Sequence, residues 1–123
     1  MSPIERVDPI KITDNKTGIT YTLDFSRDTV RLAEDRGFSW DELGDRPATL
    51  IPIIWHAAFR RYDPRISLDA TTKILEKLGG LKPSWVTRLR QLYDQALVSL
   101  IASDNGEEED EEAAKNAEMT VEL

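Results

Sequence analysis

The stretch IPIIWHAAFRRYDPRIS, residues 51–67, decides how this chain is read. It carries the sequence's single histidine together with a tryptophan, a phenylalanine, a tyrosine and three arginines. At about 100° per residue, Ile51, Ile54, Trp55, Ala58 and Tyr62 share one helical face, with Phe59 at its edge. His56 and Arg60, four residues apart, fall on the opposite side with Ile53 beside them. The spacing predicts a helix over 50–62, with Pro52 in its first turn and Asp63-Pro64 as its stop. Trp55 and Tyr62 are read as core. Ile53, His56 and Arg60 are read as an outward strip, with Phe59 at its margin.

Working outward from that helix, ITYTLDF (19–25) alternates, with Ile19, Tyr21, Leu23 and Phe25 on one side and Thr20, Thr22 and Asp24 on the other. An earlier apolar run, PIKI, is separated from it by TDNKTG, which is rich in turn formers and ends at Gly18. A β-hairpin over 9–25 follows, and its apolar face needs something to lie on, because two strands alone are marginal in water. Ser26 is placed to cap a helix over 27–36 that Gly37 ends. SWDE (39–42) has the spacing of a capping box and predicts one further helical turn.

Beyond the opening stretch, Ser67 is placed to cap a helix over 68–78, with Leu68, Thr71, Leu75 and Leu78 facing inward and Gly79-Gly80 closing it. Ser84 is placed to cap the longest helix, 85–102. Its apolar residues, from Trp85 and Val86 through Leu97 and Ile101, cover roughly half the wheel, wider than the ~100° stripe one surface helix needs. That helix is therefore read as nearly central, with part of its arc meeting a partner or a second copy of the chain.

Net charge is −7, unevenly placed. Residues 103–123 hold nine acids and one lysine, while the body before them is close to +1. The tail contains EEEDEE and few core-forming residues, so it is read as disordered. The expected architecture is α+β, mainly α. A hairpin packs on a bundle of about four helices over 1–102, and an acidic tail follows over 103–123. With no cysteine, neither a disulfide framework nor a thiolate zinc site can form. No apolar run approaches the ~18–20 residues of a membrane span, and the N-terminus lacks a basic-then-apolar export pattern.

Catalytic chemistry finds little to stand on. A nucleophile–base pair has only His56 to recruit, and no serine lies in a G-x-S-x-G elbow. A cation beside His56 would meet Arg60, and no EF-hand or H-x-x-x-H spacing occurs. LGGLKPS lacks P-loop spacing and follows a helix instead of a strand. No cofactor or metal is expected. Arg60, Arg61 and Arg65 beside His56 could touch phosphates, but a body near +1 argues against nucleic acid. Protein docking remains, because aromatic and arginine side chains dominate interface energetics. The candidate contact residues are Ile53, His56, Phe59, Arg60, Arg61, Arg65, Val86, Leu97 and Ile101.

Two stretches, IIWHAAFRRYDPRIS and LDATTKILEKLGGL, together with the hairpin and short helix before them, carry a resemblance. Over about residues 8–82 the chain resembles the tail assembly chaperones of long-tailed bacteriophages and prophages. The last helix and acidic tail match in type only. The resemblance implies a non-enzymatic protein of the bacterial host cytoplasm that coats the tape measure protein. It further implies help in recruiting tail tube subunits and absence from the finished virion. A small nucleic-acid-associated protein, or another helical adaptor or virion component, is the alternative. On the chaperone reading, the acidic tail keeps the complex soluble by repulsion and hydration.

Overall fold

The computed structural model describes residues 6–98. Two antiparallel strands, β1 (Ile10–Thr13) and β2 (Thr20–Leu23), pair with Ile10 opposite Leu23 and Thr13 opposite Thr20. Four helices follow: α1 (Arg27–Asp35), α2 (Pro47–Arg60), α3 (Leu68–Lys77) and α4 (Pro83–Leu97). The expected class is therefore observed, with a hairpin on a four-helix body.

Local chemistry explains most element ends. Ser26 caps α1: its Oγ accepts the Thr29 N–H at 3.3 Å, and Thr29 Oγ1 accepts the Ser26 N–H at 2.9 Å. Ser67 caps α3 one way, its Oγ accepting the Ala70 N–H at 3.0 Å. Both helices finish on a left-handed glycine, Gly37 (φ 88°) and Gly79 (φ 81°). In each, the next residue's N–H reaches back to a carbonyl five residues earlier (Phe38 to Ala33, Gly80 to Leu75), so the last carbonyls are satisfied.

Several boundaries differ from expectation. The 40–45 segment forms hydrogen-bonded turns, not a helix, because Gly44 and the chain leading to Pro47 draw it straight into α2. Pro47, not Pro52, occupies the first turn of α2. Pro52 lies a turn further in, where it withholds a hydrogen bond from the exposed Ala48 carbonyl, which water can satisfy. Ser84 is not a cap. Lys82 precedes α4, Pro83 opens it, and no side chain caps it. The predicted continuation of this helix to 102 and the tail 103–123 lie outside the described residues.

The larger correction concerns the core. It is α2, not α4, that runs through the middle. Residues Ile54 to Phe59 are buried in one unbroken run, with α1, α3 and β2 packed around them. Over that run the helix has no solvent face to reveal its orientation. Two aromatic groups fill the space beside it. Tyr21, Phe59, Trp55 and Trp85 form one chain of contacts, and Phe25, Tyr93, Phe38 and Trp40 form the other. Trp55 also donates its indole N–H to the Thr71 carbonyl at 2.8 Å, tying α2 to α3. Tyr62, expected in the core, is 56% exposed, because α2 ends at Arg60 and its face cannot be extrapolated past that point. Ile19 and Leu68, expected to face inward, are likewise exposed, at the end of the hairpin turn and the first residue of α3.

Candidate docking groove

Where the chain leaves α1 through Gly37, Phe38 turns inward and Trp40 follows it. Trp40 lies edge-on to Phe38 at 4.8 Å and to Tyr93 of α4 at 5.4 Å. The turns that follow, held by the Trp40 and Glu42 carbonyls, run beside the first half of α4. Between them opens a groove of about 500 Å³. Trp40, Leu43 and Val86 give its apolar floor, and Arg90, Gln91 and Asp94 its polar rim. The Arg90 guanidinium lies 5.7 Å from the centre of the Trp40 ring, a cation–π contact. The Trp40 indole N–H is shielded from solvent and has no hydrogen-bond partner among the described residues. An unmade bond of this kind costs about 1–3 kcal/mol, which an acceptor reaching it would recover. Next to it, burial first, then the charges of Glu34 and Asp94, push the Tyr93 hydroxyl up to about 12, so it stays a neutral phenol.

The opposite flank of α4 is occupied. Gln95 accepts the Val7 N–H at 2.9 Å, and Arg88 donates to the Asp8 carbonyl at 3.0 Å. Only Leu89, Leu92 and Tyr93 of α4 are fully buried. Its apolar arc is therefore wider than the core uses, and Val86 is left on the groove.

The outward strip expected on α2 is not there. His56 is buried, 1% exposed. Its Nδ1 accepts from the Arg36 guanidinium at 2.8 Å, since arginine can only donate. Its Nε2 therefore carries the proton and donates to the Ile66 carbonyl, also at 2.8 Å. Burial, and secondarily the Arg36 and Arg60 charges, hold this imidazole below its ordinary range, against an opposing pull from the Ile66 carbonyl. His56 thus bolts the end of α1 and the loop before α3 onto α2.

Phe59 is also buried, at 1%, edge-on to Tyr21 and Trp55. Arg61 is committed as well: its Nη1 donates to Asp24 Oδ2 at 2.8 Å and to the Phe25 carbonyl at 2.7 Å. Asp24, expected on the solvent side of its strand, is buried by this pair. Ile53 is half-buried against the core. Arg60 is half-buried and lines a second, smaller cleft with Asp28 and Pro64, and Arg65 is exposed. Leu97 packs on the core beside Val30 and Arg31, and Ile101 lies outside the described residues.

Of the expected contact residues that lie among the described residues, then, only Val86 is on the groove. Trp40, Leu43 and Arg90 were not among them. Trp40 had a signal, a large aromatic residue in a segment too short and too broken by glycine and proline to bury it in a helix. Among the described residues no cluster of three or more metal-ligating side chains occurs, and no helix is long and apolar enough to cross a membrane.

The chain belongs to the family described as Domain of unknown function (DUF5055), whose model matches residues 4–123. No curated protein and no solved structure matches it.

Proposed function

We propose that this member of the family is a phage tail assembly chaperone. It acts without covalent chemistry, by binding the tape measure protein in the bacterial host cytoplasm and aiding recruitment of tail tube subunits, and it is not retained in the virion. The family resemblance of residues 8–82 supplies the identity of the client. The observation that carries the binding role is the groove between the 40–46 turns and α4, where Trp40, Leu43 and Val86 form an apolar floor left open to solvent.

An amphipathic client helix lays its apolar stripe on such a floor. Arg90 and Asp94, one turn apart on the α4 wall, then select opposite charges at matching positions along the client. A tape measure protein is long and helical, and its exposed stripes are what a chaperone has to cover.

The test is co-expression with the tape measure protein of the same phage. The native chain is expected to yield a soluble, co-purifying complex. Val86→Asp combined with Arg90→Glu is expected to leave the circular dichroism spectrum unchanged and to abolish co-purification. A complex that survives both substitutions removes the groove from the mechanism. Gel retardation of DNA by the native chain in low salt would favour the nucleic-acid alternative.

A further inference from the structure

The two-stranded sheet has an edge that no other strand covers among the described residues. In an antiparallel pair, residues whose N–H and C=O point at the partner alternate with residues whose groups point away. The Asp14 N–H donates to the Ile19 carbonyl, which sets the phase, so Tyr21 and Leu23 bond to β1 while Thr20, Thr22 and Asp24 face outward. Asp24 confirms it: its outward N–H donates to the Ala58 carbonyl at 3.0 Å, in the last turn of α2. The N–H and C=O of Thr20 and Thr22 have no such partner among the described residues.

These groups face a narrow cleft of about 160 Å³ between β2 and the end of α2, walled by Phe59, Tyr62 and Asp63. Two large apolar side chains stand exposed at it, Ile19 at 49% and Tyr62 at 56%. Residues 19–23, ITYTL, hold no charge, proline or glycine, whereas the outward edge of β1 carries Lys11. Uncharged, β-prone edges are the ones that recruit another strand.

We propose that the occupant is the chain's own segment Met119–Leu123, added to β2 as a third strand. The segment reads MTVEL, with Met119, Val121 and Leu123 alternating with Thr120 and Glu122, the period of a strand with one apolar face. Elsewhere between 103 and 123 the sequence is charged, polar or small, with no large apolar residue. The cleft argues for this segment against the acidic run 107–112, because its lining includes Asp63 and no cation. Its narrowness argues for one extended strand against a second copy's hairpin. Asp24 and Ala58 close its inner end, so the added strand is short, as MTVEL is. Reach is sufficient. Roughly twenty residues join Val98 to Met119, and a linker of that length reaches about 25 Å r.m.s. even in the random-coil limit, comparable with the body's own dimensions. A tether of that length holds the segment at an effective concentration near the millimolar range.

Hydrogen exchange on the full-length protein tests this. The Thr20 and Thr22 amides are expected to exchange about tenfold or more slowly in the native chain than when a ladder donor of the added strand is removed. Thr120→Pro and Val121→Pro, made separately, cover both phases of pairing, so at least one must release the protection. Neither substitution touches the described body, and the exchange of α2 amides serves as the internal control. Unchanged Thr20 and Thr22 exchange in both variants overturns the proposal. Protection that grows with protein concentration also overturns it, because the strand then comes from a second copy.

Discussion

Replacing Arg61 with methionine separates a structural arginine from a partner-binding one. Its guanidinium serves two buried acceptors, the Asp24 carboxylate and the Phe25 carbonyl, at 2.8 and 2.7 Å. Asp24 is only 5% exposed, and its other oxygen already accepts the Phe25 N–H at 2.8 Å. Breaking a fully buried pair costs about 3–5 kcal/mol, most of it from the charge left behind. The Arg61 side chain is 38% exposed, so water screens the pair and can partly replace the guanidinium. The expected loss is therefore about 2 kcal/mol, typical of a hydrogen bond to a charged group. In a two-state domain of this size that lowers Tm by about 8–16 °C. Urea and thermal melts of Arg61→Met, Asp24→Asn and the double variant supply the cycle. The double variant should lose at least about 1 kcal/mol less than the sum of the singles, because neither partner is then left orphaned. An Arg61→Met stability within about 0.5 kcal/mol of the native protein, or an additive cycle, would refute the structural role and return Arg61 to the candidate contact surface.

Protonating His56 requires the imidazole to break with Arg36, and its folded pKa is lowered from 6.5 chiefly by burial. The unfolded chain therefore binds the proton first. Stability is complete above the unfolded value and falls as the pH drops below it, and His56→Gln should lose less between about pH 7.5 and about pH 5 than the native protein in urea melts. Ser26→Ala removes one side of the reciprocal cap on α1 and should cost about 1 kcal/mol, read as a Tm drop of about 4–8 °C. Trp55→Ala opens the centre of the core and strands the Thr71 contact, for an expected loss of about 3–5 kcal/mol in chemical denaturation.

What was legible in the sequence was local. The hairpin shows in a period of two over 19–25, and the caps at Ser26 and Ser67 need only the next three residues. Gly37 and Gly79 announce helix ends because the left-handed turn after a helix favours glycine. The pairing of Arg61 with Asp24 spans 37 residues and leaves no local mark. SWDE illustrates the opposite failure. Its spacing fits a capping box, but the glycine and proline after it allow no helix to cap, and Trp40 instead closes an aromatic cluster formed with residues of α1's exit and α4.

The outward strip expected on α2 is not found there, for one physical reason. A helical wheel assigns an outside to every helix, so His56 and Arg60 became the outside of α2. In the folded chain α1, α3 and β2 enclose that helix, and its polar atoms are satisfied internally, His56 by Arg36 and Ile66 and the Trp55 indole by Thr71. Taking His56 to an interface would break both of its bonds and uncover a neighbouring run of apolar residues. Among the described residues it is α4 that has apolar surface to spare. That helix buries only Leu89, Leu92 and Tyr93 completely, and it keeps Val86 beside the exposed wall made by Trp40 and Leu43. The apolar arc of this helix is wider than the core consumes. On the proposed chaperone reading, that surplus is the surface a client helix would cover.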